Sequence, residues 1–173
     1  MKAVIIGGGI AGLTQGLLLQ DLGYEVVICE RTPKPDHRGH AFLMNEDGLS
    51  LLKPYIKRTL EKLKSNRIDL FSLKDPSDEE LIKIKLNGWF CLKRVDLISF
   101  LISLFDPHTI KFNCEFDHFE YDHDKATAVV FKNGKKEKGD IFIGADGGAS
   151  AIRTSLFGDT KYTPIEVKEI VGI

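Results

Sequence analysis

The sequence predicts an α/β fold in which a parallel sheet carries helices and an antiparallel β-meander follows later in the chain. Short apolar runs at residues 2–6 and 141–143 have the composition of strands buried on both faces of a parallel sheet. Each run leads directly into a glycine-rich turn and then into a helical segment, as strand–helix units require. A hairpin signal at Asn133-Gly134 predicts the meander.

The first thirty residues form a complete β–α–β unit. The strand at 2–6 is followed by a glycine-rich turn and by a helix predicted over 13–22, in which Leu13, Leu17 and Leu18 share one face. Gly23 ends this helix, and residues 25–29 form the second predicted strand.

Gly7, Gly9 and Gly12 match the G-x-G-x-x-G spacing of Rossmann-like dinucleotide-binding turns. Gly7 allows the tight turn, Gly9 lets a pyrophosphate approach the backbone, and Gly12 lets the helix pack closely on the strand. Glu30, at the end of the second strand, can accept hydrogen bonds from both ribose hydroxyls and disfavours a 2′-phosphate. The unit predicts a site for FAD or NAD rather than NADP. The alternative is a glycine-rich turn without a ligand.

The middle of the chain is predicted to contain both helices and antiparallel strands. Helices are predicted at 46–64, kinked or split at Pro54, and at 96–104, with Asp96 as the N-cap. Strands are predicted at 67–73, 81–86, 109–114, 115–122, 126–131 and 135–138.

A second strand-to-helix turn follows the apolar run at 141–143. This turn spans residues 144–150 and contains Asp146, and Arg153 lies in the helix behind it. On spacing alone Asp146 is either a ligand-facing group or only a helix cap, and both interpretations stay open.

The composition excludes several classes of protein. In 173 residues, 43% hydrophobic and 28% charged content is that of a soluble globular domain rather than a disordered chain. The net charge of −1 does not favour a nucleic-acid partner, and no apolar run approaches the roughly 20 residues that cross a membrane. Three scattered cysteines form no metal-ligand spacing and suit the reducing cytoplasm.

Four segments together resemble a known family. They are the first glycine turn, Glu30-Arg31, Arg94-Val95-Asp96-Leu97 and Gly144-Ala145-Asp146-Gly147-x-x-Ser150-x-x-Arg153. The set is similar to that of the single-component FAD-dependent aromatic hydroxylases, the para-hydroxybenzoate hydroxylase type of flavoprotein monooxygenase, which includes tetracycline-inactivating enzymes. The resemblance implies an FAD-binding domain over 1–173, with part of a substrate-side sheet at about 67–93.

The resemblance also implies which residues bind the adenosine end and the pyrophosphate of FAD. Glu30 would bind the adenosine ribose, Arg31 would lie beside the adenosine, and the backbone near Phe116 would contact adenine. The pyrophosphate would be held by the first turn, which contains Gly7, Gly9, Ile10, Ala11 and Gly12.

Two arginines and one acid are assigned by the same resemblance to the rest of the cofactor. Arg38 would reach the phosphates or the flavin, and Arg94 would face the cofactor from the start of a helix. Asp146 would lie near the FAD pyrophosphate and the nicotinamide cofactor. The implied reaction uses NAD(P)H and oxygen to hydroxylate an aromatic or similar electron-rich small molecule, and no side chain here need act as a catalytic base.

The chain departs from the family in length, because a later Gly-Asp motif and most of the substrate-binding sheet are not found in it. We therefore expect an N-terminal portion that is inactive alone and that self-associates or pairs with a complementing C-terminal chain. The alternatives are a related FAD-dependent oxidoreductase of the halogenase or prenyl-reductase type, and a non-catalytic nucleotide-binding module. A plain NAD-dependent dehydrogenase is disfavoured, because the 144–153 motif has no role there.

Overall fold

The computed structural model describes residues 1–35, 41–56, 63, 65–159, 161 and 163. In chain order its elements are β1 (Lys2–Ile6), α1 (Ile10–Asp21), β2 (Glu25–Cys29), β3 (Ala41–Met44), α2 (Glu46–Ile56), β4 (Asn66–Lys74), β5 (Glu80–Lys93), α3 (Arg94–Ile102), β6 (Ile110–Lys111), β7 (Phe116–Asp122), β8 (Lys125–Phe131), β9 (Lys136–Lys138), β10 (Ile141–Gly144) and α4 (Ala151–Phe157). No helix in these ranges is long and apolar enough to cross a membrane.

The centre of the fold is a four-stranded parallel sheet with the order β10–β1–β2–β6. Because side chains alternate along a strand, Ile5 and Ile28 face one side of the sheet, and Val4 and Val27 face the other. The first side packs on α1 and α3, and the second packs on the β7–β9 meander. The predicted α/β class, with a parallel sheet and an antiparallel meander, is confirmed.

The β7–β8–β9 meander is antiparallel throughout, as predicted. Its second hairpin turns at Asn133-Gly134, where Gly134 has a φ of +77° and donates its N–H to the carbonyl of Phe131. A positive φ at the second turn residue is what the Asn-Gly pair favours.

A second antiparallel sheet, ordered β3–β5–β4, is larger than the sequence predicted. Strand β3 was not predicted, and β5 continues to Lys93 instead of ending near residue 86. Gly88, with a φ of +69°, interrupts the apolar–polar alternation of β5. The alternation in the sequence therefore does not predict that the strand continues to Lys93.

Two boundary predictions were wrong. Helix α3 begins at Arg94 with Lys93 as its N-cap, so Asp96 lies within the first turn. Its negative charge there interacts favourably with the helix dipole. Strand β6 covers only Ile110–Lys111, because Asn113 has a φ of +59° and leaves the ladder.

Two other helices also differ from their predicted ranges. Helix α1 begins at Ile10, immediately after the glycine turn, rather than at residue 13. Helix α2 continues through Pro54 without breaking before it, and most of the predicted segment beyond residue 56 lies outside the described residues.

Candidate functional site

A groove of about 1090 Å³ lies at the carboxyl ends of the four parallel strands. Its walls include the residues that directly follow these strands, namely Gly7, Glu30, Phe112 and Ala145. Open parallel sheets bind ligands at this edge, and the volume suits a ligand larger than a single small metabolite.

The first glycine turn presents the amino end of α1 to this groove. Gly9 is the N-cap of the helix, and its carbonyl accepts the first helical hydrogen bond, from the amide of Leu13, at 2.9 Å. No side chain in the described part of the chain caps this end, so the amides of Ile10 and Ala11 have no partner within the helix. A Cβ placed on Gly9 would meet nothing within 4 Å. These features fit an anionic group held by backbone amides.

The second glycine turn packs directly against the first. The amide of Ala145 donates to the carbonyl of Ile6 at 2.7 Å, which joins the end of β10 to the end of β1. A Cβ on Gly12 would lie 2.0 Å from the carbonyl oxygen of Gly7 and 3.3 Å from the Cβ of Ala145. Gly9 and Asp146 consequently line the same groove.

Glu30 is fixed at the groove wall by two backbone amides. Its Oε2 accepts a hydrogen bond from the Gly8 amide at 2.7 Å, and its Oε1 accepts one from the Thr32 amide at 2.9 Å. Each carboxylate oxygen keeps capacity for a further donor. The side chain is therefore oriented to accept hydrogen bonds from a diol such as ribose.

Asp146 organises the second turn and the start of α4. Its Oδ1 accepts from the Ser150 hydroxyl at 2.6 Å, and its Oδ2 accepts from the Ile152 amide at 3.2 Å. Ser150 is the N-cap and accepts from the Arg153 amide at 2.9 Å, while the Arg153 guanidinium donates to the Gly148 carbonyl at 2.6 Å. Asp146 thus serves as a capping group and also lines the groove.

The other predicted site residues fall into two groups. Arg31, Arg94 and Phe116 line the groove, and the Phe116 ring lies in the core with its centroid 5.0 Å from that of Phe119. Because this ring is buried, Phe116 can offer a ligand its backbone more readily than its side chain. Arg38 lies outside the described residues.

The residues of the groove wall that sequence reasoning missed include Thr32, Cys29 and Cys114. Thr32 follows Glu30 by two positions, so its proximity could have been inferred from the turn. The two cysteines are far apart in the chain, and only the pairing of β2 with β6 brings them together. A hydrogen bond between the thiols, followed by burial, raises the pKa of Cys29, and the same hydrogen bond lowers the pKa of Cys114.

The groove offers amide donors for a phosphate and a carboxylate for a diol, which fits a dinucleotide. Within the described ranges, no cluster of three or more His, Cys, Asp or Glu side chains is arranged to hold a metal ion.

Comparisons with known proteins identify the family. Residues 1–166 match the family described as FAD binding domain. Monooxygenase 1 of Arabidopsis thaliana is 28% identical over 157 residues, which cover 88% of this chain and 40% of that protein. The 2,6-dihydroxypyridine 3-monooxygenase of Paenarthrobacter nicotinovorans is 27% identical over 170 residues, which cover 91% of this chain and 39% of that protein.

A solved structure agrees with these relatives. The 2,6-dihydroxypyridine-3-hydroxylase from Arthrobacter nicotinovorans superposes with a TM-score of 0.76 at 25% identity, over 91% of this chain and 40% of that one. The chain thus spans about 40% of the length of each of these three proteins. The resemblance to FAD-dependent monooxygenases is confirmed, and the chain belongs to the FAD binding domain family.

Proposed function

We propose that this chain binds FAD in the groove and forms the FAD-binding portion of a flavoprotein monooxygenase. The observation that carries the proposal is the packing of the two glycine turns, which brings Gly9 and Asp146 to one groove. An ordinary nucleotide-binding turn would need only the first of these turns.

The adenosine half of FAD would lie between the first turn and the end of β2. Its pyrophosphate would accept hydrogen bonds from the α1 amides at residues 10–12, and the dipole of α1 would favour the negative charge. Glu30 would accept from the ribose hydroxyls, Arg31 would lie beside the adenosine, and the backbone at Phe116 would contact adenine. The two amides that hold Glu30 support this role, because they set the direction of its free lone pairs.

The flavin half of FAD would extend towards the second turn and α3. Asp146 holds the second turn in shape through the Ser150 hydroxyl, so we assign it a positioning role beside the pyrophosphate and the nicotinamide cofactor. Arg94, at the first residue of α3, would face the cofactor from the other wall. The assignment of Arg38 to the phosphates or flavin rests on the family resemblance.

The proposed reaction transfers one atom of oxygen to an aromatic or similar electron-rich small molecule, with NAD(P)H as the electron donor. Bound FAD supplies the redox chemistry, and this chain binds and orients the cofactor. Support comes from relatives whose names describe 2,6-dihydroxypyridine monooxygenation. The β3–β5–β4 sheet would form part of the substrate side, in the range near residues 67–93.

An exposed apolar face of the β4–β5 hairpin is the feature that favours binding of a partner polypeptide. Phe71 pairs with Ile84 and Leu73 with Ile82, which places these four side chains on one face, and each is 43–49% exposed. We place on this face the polypeptide that the relatives carry beyond the matched segment, because the chain spans only about 40% of their length. On this view the chain alone does not hydroxylate a substrate.

Titration of the purified chain with FAD tests the proposal. We expect saturable binding of one FAD per chain, followed by flavin fluorescence, and competition by ADP, which carries the same adenosine and pyrophosphate. Folded protein that shows no saturation at millimolar FAD would contradict the proposal. If FAD binds but the completed protein hydroxylates nothing, the non-catalytic module becomes the better account.

Sedimentation velocity tests the proposed partner face. We expect Phe71→Ser with Ile84→Ser to remove self-association of the isolated chain, or to weaken its binding to the complementing polypeptide, without changing FAD affinity. Equal association of the variant and the parent would contradict the assignment of this face.

A further inference from the structure

Glu137 is a buried carboxylate that joins two strands of the parallel sheet. It lies in β9 of the meander and is 9% exposed. Its Oε1 accepts a hydrogen bond from the Lys2 ammonium at 2.6 Å, and its Oε2 accepts one from the Lys111 ammonium at 2.5 Å. Lys2 is the first residue of β1 and Lys111 is the last residue of β6, so one side chain ties the meander to both strands.

Of the two lysines bound to Glu137, only Lys111 lies next to the groove. Lys2 begins β1 at the end of the sheet opposite the groove, whereas Lys111 stands at the carboxyl end of β6. The residues on either side of Lys111, Ile110 and Phe112, line the groove. Neither Lys111 nor Glu137 is among the described residues that line it, so any effect of this ion pair on a ligand is indirect.

The backbone of Lys111 holds the residue that we assign to the ribose of FAD. Its carbonyl accepts a hydrogen bond from the Glu30 amide at 2.8 Å. The Glu30 carbonyl accepts one from the Cys114 amide at 2.9 Å. The Asn113 amide donates to the carbonyl of Thr32 at 3.0 Å, which continues the same pairing. Both polar groups of the Glu30 backbone are thus bonded to β6 or to the segment after it, and the position of Glu30 depends on theirs.

Strand β6 is short and lies at the edge of the parallel sheet. Its ladder with β2 contains two residue pairs. A short edge strand is bonded to the sheet on one side only, so it opens locally more easily than a central strand does. The ion pair of Lys111 with Glu137 attaches β6 to the meander as well, and this second attachment opposes such opening.

We propose that Glu137 is a positioning residue for Glu30: through Lys111 it fixes the backbone to which Glu30 is bonded, and it contacts no part of the ligand. The inference rests on the proposed binding of FAD, whose adenosine ribose would donate to Glu30. A carboxylate bound to an ammonium group suits this role, because a charge-assisted hydrogen bond is shorter and stronger than a neutral one. Without it, β6 loses its attachment to the meander, and the two oxygens of Glu30 no longer meet both ribose hydroxyls.

Calorimetric titration with two nucleotides tests the proposal. ADP carries the ribose diol, and 2′,3′-dideoxy-ADP lacks it, so the parent chain should bind ADP more tightly. In Glu137→Gln the affinity for ADP should fall about fivefold, the equivalent of about one hydrogen bond, while the affinity for the dideoxy nucleotide stays within about twofold of the parent value. An ion pair that only stabilised the fold would not change the ratio of the two affinities.

Lys111→Met and Lys2→Met separate positioning from stability. Each variant removes one lysine from Glu137, so each should lower the free energy of unfolding. Only Lys111→Met should reproduce the selective loss of ADP affinity, because Lys2 lies at the far end of β1. An unchanged ratio of the two nucleotide affinities in Glu137→Gln, or the same change of this ratio in Lys2→Met, would overturn the proposal. Lys111→Met decides the outcome if Glu137→Gln fails to fold.

Amide hydrogen exchange in the ligand-free chain provides a readout that does not depend on the proposed function. The amides of Glu30 and Cys114 should exchange faster in Glu137→Gln and in Lys111→Met than in Lys2→Met, which serves as the control for global stability. A parent chain that binds neither nucleotide would contradict the proposed function. Unchanged exchange at these two amides would overturn the positioning role of Glu137 whether or not a nucleotide binds.

Discussion

Gly7 and Ala145 meet backbone to backbone, because a Cβ placed on Gly7 would lie 2.2 Å from the carbonyl oxygen of Ala145. Gly7 begins the connection that follows β1, and Ala145 begins the connection that follows β10, the neighbouring parallel strand. The two glycine turns therefore form one structural unit.

Gly7→Ala should destabilise the fold strongly. The new methyl group would overlap the Ala145 carbonyl, and the φ of +119° at this position is strained for any side chain. We expect the free energy of unfolding to fall by about 2–4 kcal/mol. Urea denaturation followed by circular dichroism measures the change.

Gly9→Ala is the matched control, because a Cβ there meets nothing within 4 Å. It should leave the unfolding free energy within about 1 kcal/mol of the parent value, since only the N-cap preference changes. Its affinity for FAD should nevertheless fall, because the methyl group points into open space beside the proposed pyrophosphate. Equal loss of stability in both variants would contradict this description of the turn.

Ser150→Ala should weaken the second turn. The serine hydroxyl accepts from the Arg153 amide and donates to Asp146, so its removal leaves both groups short of a partner. We expect a loss of about 1 kcal/mol in the free energy of unfolding. Ser155→Ala, in the exposed part of the same helix, should change this quantity little, and chemical denaturation distinguishes the two.

Glu30→Gln should change nucleotide selectivity. A neutral amide no longer repels a 2′-phosphate, so the preference for ADP over 2′-phospho-ADP should shrink. The variant should also lose about 1–2 kcal/mol of stability, because one of the two backbone amides would face an amide nitrogen instead of a carboxylate oxygen. Calorimetric titration with both nucleotides measures the preference. Glu115→Gln, at an exposed position on the same groove, should leave it unchanged.

Glu137 should make stability depend on pH on the acid side. Burial raises the pKa of Glu137, but the hydrogen bonds and charges of Lys111 and Lys2 outweigh it and leave this pKa below its ordinary value. The stabilisation is therefore complete above the pKa of the unfolded carboxyl group and is lost as pH falls through the lower, folded value.

The Glu137→Gln variant tests this pH dependence. At neutral pH it should lower the free energy of unfolding by about 1–2 kcal/mol, because two lysines lose their carboxylate. It should also flatten the acid limb of the stability profile. Glu120→Gln removes only an exposed ion pair with Lys136, so the loss of stability at acid pH should stay as in the parent protein. If the free energy of unfolding of Glu137→Gln and of the parent fell in parallel with decreasing pH, the assignment of the pH dependence to Glu137 would be contradicted.

The sequence predicted the parts of the fold that depend on local pattern. The βαβ unit and the hairpin at Asn133-Gly134 follow from short-range spacing, so apolar periodicity and turn residues suffice to predict them. The continuation of β5 past Gly88 depends on pairing with β3, which no local pattern reveals.

The candidate site shows the same division. The glycines and Glu30 were predicted because each occupies a fixed position in a known turn. The capping role of Asp146 stayed open, because a cap and a ligand-facing acid have the same spacing. The contact of Cys29 with Cys114 could not be predicted, because it requires the parallel order of β2 and β6 and the left-handed residue Asn113.

Amide chemical-shift mapping with FAD tests most directly whether both glycine turns bind one cofactor. In a titration of ¹⁵N-labelled protein, the amides of residues 9–12 and those of residues 145–148 should shift together and give one common dissociation constant. Shifts confined to one turn, or two different constants, would contradict the account of a single shared site.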